Sequence, residues 1–234
     1  MISESITKRL KKLGNKEQAA ISQRFFKTGP GEYGEGDIFL GIKVPVLRKL
    51  AQEYLHLSLQ DVQTTLGSKY HEKRLLALFI MVDQFAEGDQ KKKKRIYELY
   101  LKNTRFINNW DLVDSSAHHI VGPYLMDKSK APLDELAQSD LLWERRIAII
   151  STFHYIKNDK FSDTLKIAGR LIADKEDLIH KAAGWMLREI GKRHLPSEEA
   201  FLKKHYRNMP RTMLRYAIEK FPEPKRLRFL KGQI

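Results

Sequence analysis

The sequence predicts an all-α fold in which helices pair along the chain. Three observations carry this. Apolar residues recur with a helical period over nearly the whole length, and alternating strand patterns are scarce. The connections are short and marked by Gly or Pro, as at Gly88-Asp89, Pro132, Pro196, Pro210 and Pro222. Taken in order, the periodicity predicts helices over 3–13, 16–27, 43–55, 58–66, 70–87, 90–102, 109–120, 122–128, 132–139, 142–157, 160–173, 176–194, 197–207, 211–220 and 223–231. Only the stretch 38–44 reads as extended.

The helices starting near 70, 109, 142 and 176 are spaced by 39, 33 and 34 residues, and each is followed by a second helix. That rhythm is the one expected of an α-solenoid of HEAT-like helical repeats, an alpha-alpha superhelix, although HEAT units are somewhat longer at about 40–47 residues. No repeated motif accompanies the spacing, so the repeats are degenerate. No linker divides the chain, and residues 1–234 read as one domain.

Composition narrows the partners. Lys and Arg number 43 against 29 Asp and Glu, a formal net charge of +14, which favours a polyanion, nucleic acid before an acidic membrane surface. With 42% hydrophobic residues a sizeable core is possible. The absence of Cys excludes disulfides, Cys-ligated zinc and iron–sulfur clusters. The first residues, MISESITKRLKKLG, are amphipathic and charged rather than a secretory signal, and no apolar run approaches the roughly 18 residues of a membrane span. The expectation is an intracellular, cytoplasmic protein with no membrane attachment.

Three helical faces single out four residues. In 109–120 Asn109 is a credible N-cap, Val113, Ala117, Ile120 and Val121 form the apolar face, and Trp110, Asp114 and His118 follow i, i+4, i+8 along one flank. Asp114 is either a surface acid or the partner of a buried cation. In 142–157 Arg146 falls about 40° from Leu142, inside the arc of Leu142, Ile147, Ile149, Ile150 and Phe153, while Arg145 falls at its edge. A guanidinium there requires an acidic partner, whether Asp114 or any nearby carboxylate. In 176–194 Trp185 shares a face with Lys181, Arg188 and Lys192. An indole among three cations suits nucleic-acid contact, and equally suits a Trp covered by lysine and arginine stems. The run Lys91-Lys92-Lys93-Lys94-Arg95 opens a helix against its dipole, a mismatch that phosphate contact would offset, so Lys91 and Lys92 are candidate backbone contacts.

Other signals do not hold. Residues 29–36 satisfy G-x-G-x-x-G but follow a helix and carry Glu32 and Glu35 where a phosphate would approach, so they read as a mobile or DNA-contacting loop rather than a nucleotide loop. His118 and His119 point about 100° apart, and no H-E-x-x-H is present, so no metal site is expected. There is no G-x-S-x-G and no thiol nucleophile.

At N-N-W-D-L-V-D-S-S (108–116), L-W-E-R-R-I-A-I (142–149) and H-K-A-A-G-W-M-L-R-E-I-G-K (180–192), with F-L-G-I-K-V-P (39–45) in support, the chain resembles the AlkD-like DNA alkylation repair family. The resemblance spans most of the sequence. It implies an α-solenoid of HEAT-like repeats and a DNA glycosylase that excises positively charged N3- and N7-alkylpurines, such as 3-methyladenine and 7-methylguanine, from duplex DNA. Carried over by position, it places the catalytic aspartate at Asp114, the tryptophans at Trp110 and Trp185 and the arginine at Arg146. It also implies an aromatic contact to the duplex from the second helix, best matched by Phe25, with Phe26 beside it. The Gly/Glu-rich segment 29–37 is an insertion relative to shorter members. The lesion is implied to stay in or near the duplex. The expected partner is double-stranded DNA containing alkylated bases, met by a monomer without an obligate protein partner, a cofactor or a metal. Two other readings stand beside this one: a non-enzymatic HEAT-repeat DNA-binding protein and a protein-interaction scaffold.

Overall fold

The computed structural model describes residues 2–234. They form sixteen α-helices with three short 3-10 turns and no strand, the sole sheet-like feature being an isolated parallel bridge between Ile38 and Tyr70. The chain separates into two compact units, one running to Ile120 and the other from Val121 to Ile234. The fold class is all-α, and the helices pack in consecutive pairs as HEAT-like units do.

The first unit holds α1 (Ile2–Leu13), α2 (Lys16–Phe25), α3 (Val44–Glu53), α4 (Leu59–Leu66), α5 (His71–Glu87), α6 (Gln90–Lys102) and α7 (Trp110–Asp114). Its centre is α5, against which α3, α4, α6 and α1 pack. Eleven consecutive residues of α5, His71 to Met81, are buried, so this helix is enclosed on all sides rather than amphipathic. Helix α2 buries no residue and is held by its ends. Asn15 caps its start, accepting from the Gln18 amide at 2.9 Å. Gly41, at φ 77°, brings the 39–43 segment so close that a Cβ there would lie 2.1 Å from the Asn15 carbonyl oxygen. Only a glycine permits both that backbone conformation and that approach.

The second unit holds α9 (Ala131–Leu136), α10 (Leu142–Ser151), α11 (Phe153–Ile156), α12 (Ser162–Arg170), α13 (Asp177–Gly191), α14 (Leu195–His205), α15 (Arg211–Ala217) and α16 (Glu223–Lys231), after α8 (Ala117–Leu125). Here α13 is the centre, with α10, α12, α14 and α15 around it. Gly184 permits a close approach: a Cβ would meet the Met213 carbonyl oxygen at 2.4 Å, so α15 lies directly on the α13 backbone.

Two predicted helices are broken, for one reason. The segment 109–120 divides into α7 and α8 because Ser116 Oγ donates to the Leu112 carbonyl at 2.6 Å and the turn tightens, the Ser116 amide bonding to Val113. His118 therefore sits on α8, off the flank of Trp110 and Asp114. Helix α8 then runs through Pro123 where a new helix had been expected at 122. The segment 142–157 divides at Thr152, whose hydroxyl donates to the Ile149 carbonyl at 2.6 Å, after Ser151 does the same to Ile147. Short hydroxyl side chains compete for the helical carbonyls and bend the helix at that point. No described helix is long and apolar enough to cross a membrane.

Candidate active site

The first unit presents Trp110 and Asp114 at opposite ends of the five-residue helix α7, one turn apart on the same flank and both half-buried. Two arrangements fix the helix. Buried Asn109 accepts the Trp110 amide on its side-chain oxygen at 2.8 Å, the capping role its sequence position predicts. At the other end the serine-made turn terminates the helix directly after Asp114. Asp114 lies near the buried Tyr100 hydroxyl, which hydrogen-bonds Ser116 at 2.8 Å. Burial pushes the Tyr100 phenol strongly up, and the Asp114 charge adds to the effect.

Behind Trp110 stands a ladder of rings. Phe26 stacks on Trp110 at 5.2 Å between centroids, Phe39 on Phe26 at 4.9 Å, and His71 on Phe39 at 4.2 Å, all within about 21° of parallel. Phe25 meets the Trp110 edge at 6.0 Å and is 64% exposed. Thus of the two aromatics ending α2, Phe26 supports the indole and Phe25 faces solvent.

The ladder ends in a buried charge network that sequence reasoning missed. His71 Nδ1 lies 2.9 Å from Asp37 and Nε2 lies 2.8 Å from Asp111. Arg74 donates to the other Asp37 oxygen at 2.5 Å. Burial alone would raise the Asp37 carboxyl, but the His71 hydrogen bond and the Arg74 charge outweigh it and hold the acid below its ordinary value. Burial likewise opposes charge on His71, but the Asp111 charge and the bonds to both acids prevail and raise the imidazole. Next to it, the Glu72 carboxylate accepts the amides of Leu40, Gly41 and Ile42 at 2.7–3.2 Å, which fastens the 39–43 segment to α5. The 29–37 segment closes on itself, Glu32 accepting the Gly29 amide and Glu35 the Gly31 amide.

The second unit presents Arg146 and Trp185. Arg146 is 5% exposed, and Nη1 donates to the Leu178 carbonyl at 2.5 Å, tying α10 to the first turn of α13. Arg145 is otherwise engaged, with Asp174 at 2.6 Å and the carbonyls of Ser139 and Asp140. The assignment of 146 rather than 145 to the apolar arc thus matches their burial. Trp185 is half-buried beside Phe153, and its indole N–H donates to Glu189 at 3.3 Å. The three cations expected on this face each meet an acid: Lys181 with Asp177, Arg188 with Glu219, and Lys192 with Glu189, which Arg193 also contacts. Burial would raise Glu189, yet Lys192, Arg193 and the indole together lower it. The expected basic face is a lattice of ion pairs: Asp177 and Glu189 meet their cations three or four residues along the same helix, and Glu219 reaches Arg188 from another element.

Lys91 and Lys92 lie exposed in the first turn of α6. Asp89 caps that helix, accepting the Lys92 amide at 2.7 Å, and so offsets the unfavourable placement of cations there. Among the described residues no group of three or more His, Asp or Glu is placed to hold a metal ion.

Comparison with known proteins adds the following. A protein of Enterococcus faecalis described as a predicted DNA alkylation repair enzyme has a similar structure, with a TM-score of 0.70 at 17% identity over 90% of this chain and 97% of that one. AlkD2 from Streptococcus mutans is also similar, with a TM-score of 0.54 at 18% identity over 94% of this chain and 99% of that one. At such identities the likeness concerns the fold, and both support the helical-repeat class. None of the curated proteins compared matches the chain. The family model for DNA alkylation repair enzymes matches residues 6–221, nearly the whole chain, and on that match this protein belongs to the DNA alkylation repair enzyme family.

Proposed function

We propose that this protein is a DNA glycosylase that removes cationic N3- and N7-alkylpurines from duplex DNA. The observation that supports it most is the pairing on α7 of a half-buried carboxylate, Asp114, with an indole, Trp110, on a helix fixed at both ends. A purine alkylated at N3 or N7 already carries positive charge. When the C1′–N bond breaks, the bonding pair leaves with the base, which departs neutral, so no general acid is required. One carboxylate then suffices where ordinary glycoside hydrolysis uses two.

As the bond lengthens, positive charge develops on the deoxyribose. Asp114 stabilises that charge and orients a water whose oxygen bonds to C1′ and whose proton passes to the carboxylate or to solvent. The face of Trp110 packs on the sugar and favours its cationic form. In the second unit Trp185 with Lys181, Arg188 and Lys192 binds sugar and phosphates, Arg146 positions the helix that carries them, and Lys91, Lys92 and Phe25 extend the contact to the duplex. The lesion stays in or near the duplex, which tolerates bulky adducts.

The deciding measurement is release of free base from duplex containing 7-methylguanine. The wild-type protein is expected to release it, and Asp114→Asn to bind the duplex equally well while releasing it about 100- to 1,000-fold more slowly, the usual cost of losing one preorganised electrostatic group. Equal release by the variant would overturn the role of Asp114. Duplex binding without any release by the wild type would make the chain a DNA-binding protein instead.

A further inference from the structure

Behind this site, among the described residues, one buried imidazole faces two carboxylates. His71 opens α5, and its ring nitrogens contact Asp37 and Asp111. A neutral imidazole has one N–H and one lone pair, so a ring that bonds two carboxylates satisfies both only when both nitrogens carry protons. Asp111 immediately follows Trp110. Asn109, which immediately precedes it, also reaches the network, its side-chain amide lying 3.4 Å from Asp37. Both neighbours of the indole are therefore held by one cluster, and the indole itself rests on the ladder that ends at the same imidazole.

We infer that His71 is a proton-dependent positioning residue, whose imidazolium form clamps the start of α7 and thereby sets the placement of Trp110 and Asp114. It rests on the glycosylase reading for the purpose the clamp serves, but not for the clamp itself.

The arms of the clamp are unequal. Asp37 is 4% exposed in its side chain and keeps Arg74 and Asn109 whatever happens to the ring. Asp111 is 17% exposed, and its other oxygen accepts the Leu112 amide. When the ring gives one proton to solvent, the lone pair left behind repels a carboxylate, and the arm that yields is the less anchored one, at Asp111. A cavity of about 200 Å³ lined by Gln18, Ser22, Phe26, Lys43, His71 and Asp111 gives water access to that arm. The charged groups around the ring favour the clamped form on balance. Asp37 from the 37–43 segment and Asp111 from α7 stabilise the imidazolium, and Arg74 from α5 opposes it. Glu72 on α5 is engaged with the amides of the 39–43 segment, Lys43 lies on the cavity wall, and α2 with its C-terminal cap contributes the uncharged Gln18, Ser22 and Phe26.

The test uses the full chain without DNA. The protein has three tryptophans, so Trp143→Phe with Trp185→Phe leaves Trp110 as the sole indole. In that background the fluorescence of Trp110 and the NMR shift of the His71 Hε1 are followed with pH, the His71 signal being assigned by its loss in His71→Gln. The two are expected to titrate together, with a midpoint above the ordinary value of about 6.5. Asp111→Asn, which keeps the shape and removes one charge, is expected to lower both midpoints by about one pH unit, a tenfold loss of proton affinity. Base release by the wild type should fall above the same midpoint through kcat, with KM for duplex unchanged. An imidazole that titrates with no change at Trp110, or an Asp111→Asn midpoint equal to that of the wild type, overturns the inference. If alkylpurine release is absent altogether the proposed function fails, while the titrations still decide whether the clamp exists.

Discussion

The two tryptophans of the candidate site are held in opposite ways. Trp110 stands on stacked rings and a charge network in which Asp37, His71 and Arg74 are buried and Asp111 closes the edge. Trp185 stands among ion pairs whose cations reach solvent, and the acid it touches, Glu189, lies buried beneath two of them. Buried charges lose little when paired and much when one partner is removed, about 3–5 kcal/mol, whereas exposed pairs contribute about 0–1 kcal/mol. The first environment therefore suits a side chain that must not move. The second suits one whose neighbours exchange carboxylates for phosphates at little cost. Under the proposed function, the difference gives positional rigidity to the first unit and adaptable backbone contact to the second.

Breaking the buried network tests the first half of that contrast and carries the largest effect. Asp37→Asn leaves Arg74 and the imidazolium without their shared carboxylate, and is expected to destabilise the first unit by about 3–5 kcal/mol in urea denaturation followed through Trp110. A loss below about 1 kcal/mol would remove the distinction between the two environments. The pH dependence has a definite sign. Asp37 is lowered in the folded chain, so its contribution is present above about pH 3.9 and is lost as pH falls through the depressed value. His71 is raised, so its contribution is full below about pH 6.5 and is lost as pH rises through the raised value.

The second unit also buries an acid whose environment, unlike that of Asp37, favours the proton, and it sharpens the comparison. Glu198 on α14 is 2% exposed, its carboxyl lies against Gly191 at the end of α13, and burial and the neighbouring Glu199 push it up to about 8. The folded chain keeps this proton where the unfolded chain has released it, so stability declines from about pH 4.3 to pH 8 and levels off above. Glu198→Gln should match the wild type at pH 4 and exceed its stability by a few kcal/mol at pH 9, since each pKa unit is worth about 1.4 kcal/mol. Parallel pH profiles for the two proteins would show that this carboxyl is not the source of the decline.

The smallest effect is expected beside Trp185. Glu189→Gln should cost about 1 kcal/mol or less in stability, and should tighten duplex binding a few-fold at low salt by freeing Lys192 and Arg193, the gain vanishing as salt rises. Weaker binding at low salt would mean that Glu189 orients the indole rather than competes with phosphate.

Two runs of charged residues show what could be read in advance. Lys91-Lys92-Lys93-Lys94-Arg95 opens a helix as its position predicts, with Asp89 as its cap. His71-Glu72-Lys73-Arg74 has the same appearance in one dimension, yet all four side chains are buried. Each has partners from distant segments: Asp37 and Asp111 for His71, the amides of 40–42 for Glu72, Ser3 and Thr7 for Lys73, and Asp37 for Arg74. Polar character gives no periodic signal when burial is offset by partners some 30–70 residues away. For the same reason the placement of Arg146 on the buried face of its helix was legible from periodicity, while its contact with Leu178 was not.

The sequence by itself determined the helical class, most of the helix boundaries, the cap at Asn109, and the candidate set of Trp110, Asp114, Arg146 and Trp185. These follow from local period and from side chains acting on their own backbone, which are encoded within one or two helical turns. Tertiary structure alone decided that Phe26 supports the indole while Phe25 faces solvent, and that Arg188 near Trp185 meets Glu219 from another element. It also decided that His71 bridges two carboxylates. Such outcomes depend on which distant groups are brought within about 3 Å of one another, and hydrogen bonds and ion pairs at that range carry no trace in the spacing of residues along the chain.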